Sequence, residues 1–159
     1  MPIDSQRLYE TYGPMVLRRC RKLLGDDPSA RDAMHDVFVQ VLSNQDSLDA
    51  RAPSSLLFRI ATNICLNKIR GRRRRPEDGD PDLVAQIAGY TEPGDRSTAR
   101  SILDALFRHE PDDTAVMAVM HLYDKMTLEE VAAEVGMSVS GVRKRIAKLR
   151  TKLHDMEVT

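Results

Sequence analysis

The chain has 159 residues, 42% of them hydrophobic and only 4% aromatic, with no tryptophan and two cysteines. That length allows one or two small domains with modest cores. Lys/Arg and Asp/Glu balance at 24 each, but residues 1–75 carry 14 against 8, residues 76–137 carry 4 against 14, and residues 138–159 carry 6 against 2. Two basic zones flank an acidic middle, so a net charge of zero conceals two surfaces suited to phosphate. Cys20 and Cys65 lie in apolar helical settings without nearby histidine pairs, which excludes a recognisable metal site and points to buried free thiols. The chain carries no apolar run of membrane-spanning length and no signal peptide, so a cytoplasmic protein without membrane insertion is expected. Neither a glycine-rich phosphate loop nor a nucleophile motif is present, so no enzyme and no cofactor are expected. Every periodic segment has the helical period, and the expected fold class is all-α.

Leu8, Tyr9, Tyr12, Val16, Leu17, Cys20, Leu23 and Leu24 predict a first helix from Ser5 to Leu24. Gly13-Pro14 is expected to kink or divide it. After Gly25, Asp27 reads as an N-cap with Pro28 at the first helical position. The second helix then buries Ala30, Ala33, Met34, Val37, Phe38, Val41 and Leu42, and presents Asp32, His35, Asp36 and Gln40 on its other face. A loop from Asn44 to Pro53 leads into a third helix, about Ser54 to Gly71, with Leu57, Ile60, Ala61 and Ile64 as its core stripe. Arg59, Asn63, Asn67 and Arg70 follow at steps of four, four and three, on one exposed line. With Arg72-Arg73-Arg74-Arg75 just beyond, this line offers hydrogen bonds to bases and charge to phosphates. A solvated polar face with a basic tail has the same pattern.

Residues 77–95 are acidic and punctuated by Pro81, Gly89, Pro93 and Gly94, which predicts a linker. A helix from Arg96 with Ala99, Ile102, Leu103, Leu106 and Phe107 should pack on another beginning at Pro111, which carries Ala115, Val116, Val119, Met120, Leu122 and Tyr123. Thr127 and Glu130 then form a capping box before Leu128, Val131, Ala132 and Val135. Gly136 ends that helix in the left-handed conformation, Met137 fills the joint, and Ser138 caps a final helix buried through Val142, Ile146, Leu149 and Leu153. Small Ala132, turn-forming Gly136 and β-branched Val142 sit where a helix-turn-helix needs them. Arg143, Lys144, Lys148 and Arg150 lie opposite the buried stripe, with Arg145 on the flank. Such a helix fits the major groove, its early residues at base edges and its cations at phosphates. An ordinary helical hairpin with a basic solvated face is the competing reading.

D-P-S-A-R-D-A-M-H-D-V-F, followed about twenty residues later by L-L-F-R-I-A-T-N-I-C-L-N-K-I-R, resembles region 2 of a bacterial RNA polymerase sigma factor. L-E-E-V-A-A-E-V-G-M-S-V-S-G-V-R-K-R-I-A-K-L-R is similar to region 4 of the same family. Both occur in the right order with only a short linker between them, which resembles the extracytoplasmic-function (ECF) group. The resemblance implies two small helical domains, region 2 over 1–76 and region 4 with its helix-turn-helix over 96–159, joined by the acidic linker 77–95. It further implies a promoter-specificity subunit that binds core polymerase, recognises the minus-thirty-five and minus-ten elements and promotes strand opening.

On this resemblance Asp32, His35 and Asp36 dock on the clamp helices of the polymerase's largest subunit. Arg59, Asn63, Asn67, Arg70, Arg72 and Arg73 face the minus-ten element, and the loop from Ser47 to Ser55 holds a base flipped from the displaced strand. Ser140, Arg143, Lys144, Ala147, Lys148 and Arg150 face the minus-thirty-five duplex. The implied partners are the clamp helices and flap of core polymerase, promoter DNA and an anti-sigma factor. The chain departs from the family at Leu56, where tryptophan is usual, at Asn67, commonly aspartate, and at His35 and Asp36, usually glutamine and glutamate. A stand-alone helix-turn-helix regulator is the alternative, but no dimerisation or receiver segment accompanies the helix pair.

Overall fold

A computed structural model of the chain describes residues 5–44, 53–71 and 112–158. Within these residues the protein is helices and short turns without a strand, the all-α fold that the periodicity predicts. In chain order the helices are α1 (Ser5–Leu24), α2 (Asp27–Ser43), α3 (Pro53–Gly71), α4 (Asp112–Ala118), α5 (Leu128–Val135) and α6 (Val139–Val158). The acidic linker, the helix expected from Arg96, the Arg72–Arg75 run and most of the 47–55 loop lie outside the described residues.

The first three helices pack together because each has one apolar face. Val16, Cys20, Leu23 and Leu24 of α1 meet Ala30, Ala33, Val37, Phe38 and Val41 of α2 and Leu56, Leu57, Ile60, Ala61, Cys65, Leu66 and Ile69 of α3 in one buried cluster. Four details differ from the sequence expectation. First, Gly13-Pro14 does not divide α1, which continues from Ser5 to Leu24. Proline there leaves the Glu10 carbonyl without its intrahelical donor, but packing on both sides of the site holds the helix together. Second, the α2 N-cap is Asp26, not Asp27. The Asp26 side chain accepts from Ser29 N at 2.8 Å, while Asp27 pairs with Arg21 and with Arg31. Those two guanidinium groups hold the Asp27 carboxyl below the usual carboxylate range, with the Arg31 hydrogen bond the larger cause.

Third, Leu42 and Tyr9 lie outside the core, each 49% exposed. Leu42 occupies the last turn of α2, beyond the reach of α1 and α3. Tyr9 only rests edge-on against the Phe38 ring, with centroids 5.1 Å apart. Fourth, Leu56, Leu66 and Ile69 are buried in the α1–α3 core at 7%, 3% and 3% exposure, none of which the predicted stripe of α3 includes. Cys20 and Cys65 are free and buried, as expected. A hydrogen bond between the two thiols lowers the Cys20 pKa and, together with burial, raises that of Cys65.

In the second half, α4 widens into a π-helical turn over Val119–Tyr123, closed by Asp124 N donating to the Val119 carbonyl at 3.0 Å. The wider turn keeps Val119 and Met120 fully buried. His121 Nδ1 and the Met126 carbonyl are 2.8 Å apart, and Met126 N donates to the Met120 carbonyl at 3.0 Å. Both contacts fix the chain between this turn and α5. A second cluster forms from Val116, Met117, Met120, Val131, Ala132, Val135, Val142 and Ile146. The two clusters adjoin: Ala115, Ala118, Val119 and Leu149 belong to the first, and Phe58 of α3 packs on the second.

Candidate nucleic-acid interface

The α5–α6 pair is built as the capping signals require. Thr127 Oγ1 accepts from Glu130 N at 3.1 Å, and Glu130 Oε1 accepts from Thr127 N at 3.0 Å, so two otherwise orphaned donors are satisfied reciprocally. At the other end Gly136 has φ +70°, and its N–H reaches the Ala132 carbonyl. This left-handed residue turns the chain sharply without a Cβ penalty. Gly141 N donates to Ser138 Oγ at 3.1 Å, capping α6. Val131, Ala132 and Val135 of α5 face Val142 and Ile146 of α6 across the joint. Leu153 is on α6, but its side chain lies outside the described residues.

Glu130 carries a pH signature of this cap. The Thr127 backbone N–H, with the Thr127 side chain second, holds its carboxyl below the ordinary 4.5. A depressed carboxylate contributes stability above its unfolded pKa and loses it as pH falls through the lower folded value. Below pH 4.5 the thermal midpoint of the wild type should fall more steeply than that of Glu130→Gln, whose cap does not titrate. Equal slopes in a melting series from pH 6 to pH 3 would remove Glu130 from the account.

Burial of Val142, Ile146 and Leu149 fixes the rotation of α6 and therefore which side chains face out. Ser140, Arg143, Lys144, Ala147, Lys148 and Arg150 are all exposed. At 1.5 Å per residue they span about 15 Å of helix, and a helix about 10–12 Å across matches a major groove about 12 Å wide. Arg145 is turned aside, its Nη1 3.4 Å from Asp113 Oδ2 of α4, in agreement with a flanking position.

The α3 line is only partly open. Asn67 is exposed, but Arg59 and Asn63 are half-buried, because the neighbouring face of α3 docks α4 and α5. Arg70 is on the last turn of α3, its side chain outside the described residues, as are Arg72 and Arg73. On α2, Asp32 and His35 are exposed and Asp36 is partly so. Lys68 of α3 donates to Asp36 at 2.8 Å and to Asp32 at 3.2 Å, and these carboxylates, Asp36 foremost, raise the Lys68 pKa. The two acids are thus held on one surface with a cation between α2 and α3.

Sequence reasoning missed one polar group at the centre of the molecule. Arg19 is 5% exposed and donates from Nη1 and Nη2 to the two Asp124 carboxylate oxygens, both at 2.7 Å. Its Nε donates to Thr62 Oγ1 at 3.0 Å, and that hydroxyl donates on to the Phe58 carbonyl at 2.8 Å. The signal was present in the order Tyr12, Val16, Arg19, Leu23, which puts an arginine on the apolar stripe. Among the described residues no group of histidine, cysteine or carboxylates could hold a metal ion, and no helix is long and apolar enough to cross a membrane.

Residues 8–75 match the sigma-70 region 2 family. The chain is 26% identical to the ECF RNA polymerase sigma factor SigW of Bacillus subtilis, over 94% of this chain and 88% of that protein. It is 27% identical to the RNA polymerase sigma-E factor of Streptomyces avermitilis over 98% of this chain and 88% of the relative. Likeness to the ferric citrate uptake sigma factor FecI of Escherichia coli is 24%, over 92% and 86% of the two chains. These similarities run well past the region 2 match and through the α5–α6 pair. With a sigma-70 region 2 match over 8–75 and likeness along nearly its whole length, the chain is similar to extracytoplasmic-function sigma factors of bacterial RNA polymerase.

Proposed function

We propose a division of labour between two modules, 1–76 and 96–159, tethered by the acidic segment 77–95. The second reads the minus-thirty-five duplex through Ser140, Arg143, Lys144, Ala147, Lys148 and Arg150. The first captures the minus-ten strand through Arg59, Asn63, Asn67, Arg70, Arg72 and Arg73. Asp32, His35 and Asp36 dock on the clamp helices of core polymerase, the second module meets the flap, and an anti-sigma factor holds the free chain in check. Work on the transcription machinery places the protein in the cytoplasm. The observation that carries this reading is the fully exposed basic face of α6 on a capped helix pair, in a chain whose first half matches sigma region 2.

Strand opening then needs no covalent chemistry. Unstacking a base costs a few kcal/mol, and a surface that holds the displaced strand offsets part of it. A stand-alone regulator fits less well, since the likeness to sigma factors spans nearly the whole chain. The test is run-off transcription with core polymerase on promoters selected from the protein's own genome. Core plus chain should give a specific transcript that neither gives alone, and its absence from every selected promoter would refute the proposal. Asn63→Ala should slow open-complex formation several-fold, the loss of about one hydrogen bond, while leaving affinity for core unchanged. Permanganate footprinting checks this, and unaltered melting would take Asn63 out of the strand-facing set.

A further inference from the structure

Cys20 and Cys65 are the chain's two cysteines, and they belong to neither the DNA-reading nor the polymerase-docking surface. They stand on different helices, α1 and α3, yet both are fully buried in one apolar cluster. A hydrogen bond joins the two thiols. The register that brings them together is fixed close by. Arg19 Nε donates to Thr62 Oγ1 at 3.0 Å, and these residues come just before Cys20 on α1 and three positions before Cys65 on α3. Ala61, one turn before Cys65, is fully buried in the same cluster. Small side chains at a helix contact set the axes closer together.

We infer that Cys20 and Cys65 form a modification site, at which hydrogen peroxide oxidises the pair to a reversible disulfide that staples α1 to α3. A disulfide needs Cβ atoms about 3.5–4.5 Å apart and sulfurs about 2.05 Å apart. Thiols already in hydrogen-bonding contact across a packed helix pair need only a small further approach. The hydrogen bond with Cys65, ahead of the nearby charges of Arg19 and Lys68, lowers the Cys20 pKa against the opposing effect of burial. The same bond, with burial second, raises that of Cys65. Cys20 is therefore the attacking thiol and Cys65 the resolving one.

Hydrogen peroxide is little larger than water and reaches the buried pair through local opening of the helices. The Cys20 thiolate attacks one peroxide oxygen: the S–O bond forms, the O–O bond breaks, and the departing hydroxide takes up the proton that Cys20 released and leaves as water. The Cys65 sulfur then attacks the sulfenic sulfur of Cys20. The S–S bond forms, the S–O bond breaks, and hydroxide leaves with the Cys65 proton as a second water. The two thiols lose two electrons and one peroxide gains them. Because α1 and α3 are packed in the reduced chain, the bond hardens the existing three-helix unit instead of rearranging it. It closes a long loop, the case in which a cross-link most restricts the unfolded chain. None of this depends on the promoter function proposed above.

The test treats the purified full chain with hydrogen peroxide, alkylates the remaining thiols in denaturant and maps the peptides by mass spectrometry. Wild type should lose both free thiols and yield a peptide pair linked through Cys20 and Cys65. Its thermal midpoint should be about 10 °C higher than after dithiothreitol reduces the same oxidised sample. Comparing one sample before and after dithiothreitol cancels methionine oxidation, which that reagent leaves in place. Cys65→Ala should stop at a Cys20 sulfenic acid that dimedone traps, whereas Cys20→Ala should label about tenfold less at Cys65. The wild-type measurement needs no variant, so the inference is decided even if neither alanine variant folds. Two free thiols that survive a peroxide dose sufficient to oxidise the urea-unfolded chain would overturn it. So would a disulfide joining two chains, a sulfinic acid as the product, or a linked chain whose midpoint does not rise.

Discussion

Leu57→Ala is expected to destabilise the protein by about 2–5 kcal/mol, the range for removing a fully buried leucine from a core that relaxes only in part. Leu57 is completely inaccessible, in the cluster where α1, α2 and α3 meet. The cost is lost apolar burial plus the cavity left behind. Leu42→Ala is the matched control, since that side chain is 49% exposed and its loss should change stability by no more than about 0.5 kcal/mol. Urea unfolding of the two variants beside wild type decides the matter. Equal midpoints for both would mean that the rotation of α2 and α3 is wrong, and with it the assignment of Asp32, His35, Asp36, Asn63 and Asn67 to outer faces.

Arg143→Ala is expected to cost about 1–3 kcal/mol of discrimination at one base pair of the minus-thirty-five element. Arg143 is exposed on α6, one residue past the buried Val142 that fixes the rotation of the helix. A planar fork at that position can make a bidentate contact to a guanine edge, where a lysine could not. Lys148→Ala, one turn further along, should instead weaken binding nearly uniformly across sequences and lower the salt slope by about one. Binding of holoenzyme to a promoter set with single substitutions in the upstream element separates the two. A uniform loss for Arg143→Ala would reassign it to a phosphate.

The parts of the fold that were legible in the sequence are those with local causes. Thr127 with Glu130, Gly136 and Ser138 each fix backbone groups within four residues, so the α5–α6 joint could be drawn residue by residue. Apolar spacing placed most core residues of α1, α2 and α6 correctly, but on α3 it missed Leu56, Leu66 and Ile69. Asp26 and Asp27 are chemically equivalent caps, and only the guanidinium groups of Arg21 and Arg31, which draw Asp27 outward, decide between them. Leu42 keeps the core spacing but is 49% exposed in the last turn of α2. Arg19 stands on the apolar stripe of α1, but its partner Asp124 lies 105 residues away and leaves no periodic trace. Arg59 and Asn63 lie on the predicted line, yet are half-buried because the docking of α4 and α5 on α3 is not encoded in the spacing of α3 itself.

The central claim is that this chain works while bound to core polymerase. Titrating the purified protein into core enzyme in a direct affinity measurement tests it with the fewest intermediate steps. The account predicts a saturable one-to-one complex, weakened when Asp32 and Asp36 are both replaced by alanine. Absence of any complex at micromolar concentrations, with the chain folded by circular dichroism, would contradict it.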